Sequence, residues 1–261
     1  MDKEKAAKQF IKLVEIVEKL RGPDGCPWDK EQTSASLLPY FLEETYEVIE
    51  SIDEQNWETL KEELGDVLLH IVLQGQISME EKRFDLLDSI KNVNKKLIKR
   101  HPHVFGDEKT KASFEAKQNW ESIKHKEKNR KSRLDGVPIA LPALTRAHRL
   151  QEKASYVGFD WDNKIEVLLK LNEEIRELQI AFESNNINNL EEELGDVLFS
   201  VVNLARHMDL DSEDLLRKAN KKFIERFMEI ENILAKKGID IENASIKEMN
   251  EIWEDSKNNK K

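Results

Sequence analysis

The chain has 261 residues, a formal net charge of -10, nine glycines, six prolines and a single cysteine, Cys26. That charge argues against general nucleic-acid binding, which needs a basic footprint, and one cysteine excludes an intramolecular disulfide framework or a Cys-rich zinc site. The N-terminus is charged and helix-periodic rather than a secretory signal, and no apolar run nears the roughly 18–20 residues of a membrane span; abundant Glu, Lys and Leu complete the expectation of a soluble, cytoplasmic, all-α chain.

In chain order, the first helical segment gives way to the Gly- and Pro-containing lead-in "RGPDGCPWD" (21–29). Pro39 suits the start of the next helix, which carries "FLEETYEVIE" (41–50). "SIDEQN" breaks it before "LKEELGDVLLHIV" (60–72), and "NKKLIKR" (94–100) and "WESIK" (120–124) follow. The basic, then Pro-containing span 125–144 reads as a boundary, giving a helical domain 1–128, a linker 129–142 and a second helical domain 143–261. The pattern then returns as "KLNEEIRELQ" (170–179), "LEEELGDVLFSVV" (190–202), "NKKFIER" (220–226) and "WEDSK" (253–257). Four segments recur in order, and Glu47–Glu63 and Glu177–Glu193 are both sixteen positions apart, so the chain is a duplication.

The repeated segments are rich in acids. Glu44 and Glu47 are three apart on one helix face, and Glu63 and Asp66 repeat that spacing on the next helix. Glu174, Glu177, Glu193 and Asp196 do the same in the second copy. If each helix pair packs antiparallel, four carboxylates converge, and such a cluster repels itself unless a cation sits within it. Oxygen donors without sulfur suit Mg²⁺, or Mn²⁺ as a substitute. The bland alternative, a solvated glutamate face, fits one copy but not the same spacing twice. A di-iron bundle would need a histidine three residues after a glutamate, and none stands there. His70 lies four residues after Asp66, but its counterpart is Ser200. Gly65 and Gly195, each inside a helix at a cost of about 1 kcal/mol, suggest close helix–helix approach beside the acids.

The basic segments supply a complement. Lys222 and Arg226, matched by Lys96 and Arg100, offer a point charge and a planar fork suited to phosphate oxygens. Trp253 and Lys257, matched by Trp120 and Lys124, add an aromatic face able to stack a base. The helices "VLLHIVL" and "VLFSVVNLA" are apolar nearly all round, which a small domain cannot cover alone. Bundles completed by association, between the halves or in a homodimer, are therefore expected.

The doubled E-E-x-x-E … E-L-G-D pattern, "GCPWD", "ASYVGFDW" and the "NKK…R" and "WE..K" tails resemble the MazG family of nucleoside triphosphate pyrophosphohydrolases in its tandem form, over nearly the whole chain. The resemblance implies an all-α fold shared with dimeric dUTPases. It also implies Mg²⁺-dependent hydrolysis of nucleoside triphosphates to monophosphate and pyrophosphate, in nucleotide-pool cleansing or stress-response control. By the same resemblance Glu174, Glu177, Glu193 and Asp196 are metal ligands, and Lys222, Arg226, Trp253 and Lys257 contact substrate. Glu173 is the candidate to orient or deprotonate the attacking water, as Glu43 would be in the first copy. The first-copy set is Glu44, Glu47, Glu63 and Asp66 for metal, and Lys96, Arg100, Trp120 and Lys124 for substrate. The alternative function is a non-catalytic, nucleotide-sensing or scaffolding dimer.

Overall fold

A computed structural model describes residues 1–106, 113–128, 130–184 and 186–258. Among them every regular element is helical, and no helix is long and apolar enough to cross a membrane. Packing divides the chain into two units, Met1–Ala116 and Lys117–Lys261.

The first unit begins with α1 (Lys3–Arg21), whose start is fixed by the Asp2 side chain accepting from the Lys5 N–H. A short α2 (Pro27–Glu31) follows the Gly/Pro lead-in. Then come α3 (Leu38–Asp53), with Pro39 in its first turn, and α4 (Trp57–Glu80), capped by the Asn56 side chain. The turn between them has Gln55 at φ 55, in the left-handed region. α5 (Leu86–Arg100) and the four-residue α6 (Pro102–Phe105) close the described part of this unit. Its core joins Val17 of α1, Leu37 and the C-terminal half of α4 through Val72, Leu73 and Ile77, with Phe10, Leu13 and Leu86 packed around them. Each such fully buried side chain contributes roughly 1.5–3 kcal/mol. Arg21, buried at the end of α1, donates to Glu80 at the end of α4 and to the Asp29 and Gln32 carbonyls, tying α1, the α2 turn and α4 together.

The sequence places α7 (Ser113–Glu127) in the first domain, yet residues 117–127 pack with the second unit. Two contacts explain this: Gln118 donates to the Tyr156 carbonyl, and Glu121 binds Lys153 of α8 (Ala143–Ser155). Between α7 and α8 the described residues run through turns, where the linker was expected. α9 (Lys164–Glu183), α10 (Ile187–His207), α11 (Ser212–Lys236) and α12 (Ile246–Asn258) follow, with a 3₁₀ turn at Ile241–Asn243. Side chains of Asn163, Asn186 and Asp211 cap three of these helices. Ile230, Leu234 and Ile252 form the core between α11 and α12. The loop before α9 is held by Asp160, which accepts from Arg206 and from His207 at the end of α10.

The antiparallel pairs α3–α4 and α9–α10 are the closest-packed helices in their units. Each leaves apolar side chains exposed: Leu42, Leu64 and Leu68 in the first, Leu168, Leu194 and Leu198 in the second.

Candidate functional site

Both helix pairs carry their acids to the shared seam. In the first, carboxylate oxygens of Glu44 on α3 and of Glu63 and Asp66 on α4 lie within 4.8 Å of one another. In the second, the group within the same limit is Glu174 and Glu177 of α9 with Glu193 of α10. Spacings of three residues on adjoining antiparallel helices produce this convergence, as the sequence led us to expect. The fourth acid of each copy stands beside its group. Glu47 shares a side-chain hydrogen bond with Glu63, and Asp196 acts on Glu193 through its charge.

The electrostatics follow from crowding like charges. Desolvation, then the Glu47, Glu44 and Asp66 charges, hold the Glu63 carboxyl above the usual carboxylate range. Desolvation, then Glu177, Asp196 and Glu174, raise Glu193 likewise. Glu44 is raised by desolvation and by Asp66, Glu47 and Glu43. A set of oxygen-only donors that resist joint ionisation fits a hard divalent cation such as Mg²⁺ or Mn²⁺, which would replace the shared protons. His70 is not in the acid group; it is buried against Phe41, and burial pushes its pKa down.

Sequence reasoning missed one participant. Lys170 on α9 reaches Glu174 at 2.8 Å and Glu173 at 2.7 Å, and these acids raise its pKa. Its signal was available: a lysine four residues before Glu174 and three before Glu173 faces both. The first copy has Tyr40 at that place, edge-on to Trp28.

The basic and aromatic residues of the second copy lie within its own unit. In the second unit, Trp253 of α12 lies under the guanidinium of Arg226, 5.4 Å from ring centroid to Cζ, and 6.0 Å from Lys257 Nζ. Phe223 tilts against the same ring at 5.4 Å and stacks on Phe227. Lys222 is exposed one turn before Arg226. Arg100 is buried at 6% exposure and Lys96 is half-buried on α5, while Trp120 and Lys124 lie in the second unit, Lys124 ion-paired to Glu121 at 3.2 Å.

The expected close approach at Gly65 and Gly195 is not made within the described chain. A Cβ at either would meet no atom within 4 Å, because both face the open side of their helix pair. The close approach occurs instead at Gly75, where a Cβ would stand 3.0 Å from Leu86 Cβ.

The model of the MazG nucleotide pyrophosphohydrolase domain matches the chain twice, over residues 32–105 and 163–229. The nucleoside triphosphate pyrophosphohydrolase/pyrophosphatase MazG of Thermotoga maritima is 49% identical over 250 residues, covering 95% of each chain. The nucleoside triphosphate pyrophosphohydrolase of Escherichia coli K12 is 44% identical over 255 residues, 95% of this chain and 97% of that one. An uncharacterised Bacillus subtilis protein, YabN, is 42% identical over 252 residues, which span 95% of this chain and 52% of its own. Both family matches contain the acid-bearing helix pairs.

Proposed function

The chain belongs to the MazG nucleotide pyrophosphohydrolase family, and on that premise we propose that it hydrolyses nucleoside triphosphates to monophosphate and pyrophosphate, with the second copy as its catalyst. The observation that carries this reading is the meeting of Glu174, Glu177 and Glu193 within 4.8 Å, in a unit that also gathers Arg226, Trp253 and Lys257.

Glu174, Glu177, Glu193 and Asp196 would hold Mg²⁺, with Mn²⁺ as a substitute. The cation's contribution is to neutralise triphosphate charge and polarise the reacting phosphorus. The chain's own groups do the rest. Glu173, exposed beside the ligands, orients or deprotonates the water for in-line attack. Lys170 anchors Glu173 and Glu174, keeping both carboxylates in one rotamer and limiting their repulsion before substrate arrives. Lys222 and Arg226 neutralise the departing pyrophosphate, Arg226 as a planar fork. Trp253 offers a face to the base, and Lys257 stands at its edge. Contacts to phosphates and a stacking face, rather than base-specific hydrogen bonds, agree with hydrolysis of several nucleotides and hence with pool cleansing or stress-response control.

Exposed leucines along both helix pairs support a homodimer in which a second copy covers these faces. Sedimentation would find a dimer, and Leu198→Glu would dissociate it. For the first copy a binding role without turnover is favoured by Tyr40, which stands where the second copy has Lys170. Phosphate release in the presence of inorganic pyrophosphatase, measured for each nucleoside triphosphate with and without Mg²⁺, tests the whole reading. Metal-dependent release supports it; no release with any nucleotide overturns it.

A further inference from the structure

A cavity in the second unit belongs to neither acid site. It encloses about 240 Å³ between α7 and α8, and its wall includes Gln118, Glu121, His125, Arg133, Lys153 and Tyr156. Charge is unevenly settled there. Lys153, only 4% exposed, donates to Glu121 at 2.9 Å and to the Arg133 carbonyl at 3.1 Å. The same Glu121 carboxylate is approached by Lys124 at 3.2 Å, Arg149 at 3.7 Å and Arg130 at 3.9 Å. Glu152 takes Arg149, Lys117 at 3.9 Å and the Tyr156 hydroxyl at 2.7 Å. Asp135 accepts from the Lys131 and Ser132 N–H groups and lies within electrostatic reach of Arg130 and His125.

Lys124, Arg130, Arg149 and Lys153 thus share the one Glu121 carboxylate. Moreover, His125 Nε2 and Arg130 Nη1 are buried with no hydrogen-bond partner among the described residues. Buried polar atoms left without a partner are rare in folded proteins. Gly136, at φ 82, makes room for the Arg130 guanidinium: a Cβ there would fall 1.9 Å from Arg130 Nη2.

We propose that this cavity is a second anion site, taking a phosphate-type oxyanion on Lys153, Arg133 and His125. The shared chemistry has two sources, free phosphate and the pyrophosphate released by the reaction proposed above. The site is distinct from the acid clusters, which repel anions when no metal is present, and the inference stands whether or not the chain hydrolyses nucleotides.

Titration calorimetry on the full chain in EDTA and low chloride tests it, with inorganic phosphate and pyrophosphate as the probes. One anion bound per chain is expected. Arg133→Ala and His125→Ala should each weaken binding about tenfold with unchanged melting temperature, because the Arg133 side chain is exposed and its backbone carbonyl still holds Lys153. Arg133→Lys should keep most of the affinity, and Arg226→Ala should leave it intact. Tighter binding of pyrophosphate would identify the product as the source, and tighter binding of phosphate the free ion. No binding of either anion, undiminished binding in Arg133→Ala and His125→Ala, or loss in Arg226→Ala would overturn the proposal.

Discussion

The two copies carry the same acids at the same spacing, yet their surroundings differ at two points. Beside the second acid group stands Lys170; beside the first stands Tyr40, a neutral ring packed on Trp28. The second unit holds Arg226, Trp253 and Lys257 together with its own acids, whereas Trp120 and Lys124 belong to a different unit from the first acids. Carboxylates that hold a divalent cation need only a helix pair, so duplication preserves them easily. A phosphate and base complement needs further helices, which the second copy draws from its own unit. The comparison therefore separates metal binding, expected of both, from turnover, expected of the second.

The test most able to break this division replaces matched acids. Glu177→Ala removes a ligand from the second group and should lower pyrophosphate release by roughly 100-fold or more, the equivalent of about 3 kcal/mol in the barrier, with the helical circular dichroism spectrum unchanged. Glu47→Ala in the first copy should cost far less. Equal losses from the two variants in steady-state assays would show that both copies turn over.

Lys170→Ala gives a smaller effect, with two opposed signs. Removing a cation from an acid group makes that group more negative, so the divalent ion should bind a few-fold more tightly. Glu173 loses its anchor at the same time, so kcat should fall by up to about tenfold, in keeping with roughly 1 kcal/mol for a partly exposed pair. Metal titration followed by turnover would separate the two. Tyr40→Lys, the reverse change in the first copy, should weaken metal binding there.

These differences bear on how much of the molecule could be read before its fold was known. The all-α class, the helix pairs and the acid groups were legible because three- and four-residue spacings are local and were written twice. Lys170 was equally local, but its meaning depended on which of many lysines faced an acid. The destination of α7 was not legible, since Glu121–Lys153 and Gln118–Tyr156 join residues more than thirty positions apart. The Asp160–Arg206 clamp is a contact of the same kind. The helix glycines misled because a glycine signals close approach without naming what approaches. Gly75 has its neighbour among the described residues, and Gly65 and Gly195 have none there.

The acid groups also set a pH dependence, distinct from that of the ion pairs. Glu44, Glu63 and Glu193 have folded pKa values raised above the ordinary 4.5. Between that value and the raised one the folded chain holds more protons than the unfolded chain, so stability falls as pH rises through the window. A divalent cation replaces those protons. Thermal melts should therefore show a larger Mg²⁺ or Mn²⁺ stabilisation at pH 8 than at pH 5. Glu80 behaves oppositely. The hydrogen bond from Arg21 lowers its pKa, so its contribution is present above the ordinary value and is lost as pH falls through the lowered one, with or without metal. Metal stabilisation that is flat with pH would remove the physical basis for both acid sites.

The smallest effect concerns the glycines. Gly195→Ala adds a methyl that meets nothing within 4 Å among the described residues, and an interior helix position should gain up to about 1 kcal/mol from it. In a chain of this size that corresponds to a melting temperature higher by roughly 2–4 °C. Gly65→Ala should behave alike. Gly75→Ala should do the reverse, losing about 1–3 kcal/mol because Leu86 Cβ stands 3.0 Å from the new atom. Melts at several protein concentrations make this informative about assembly as well. A gain at low concentration that vanishes as concentration rises places the partner copy within a methyl's reach of Gly195. A gain independent of concentration places the dimer contact further along α10, toward Leu198 and Val201, both exposed in the single chain.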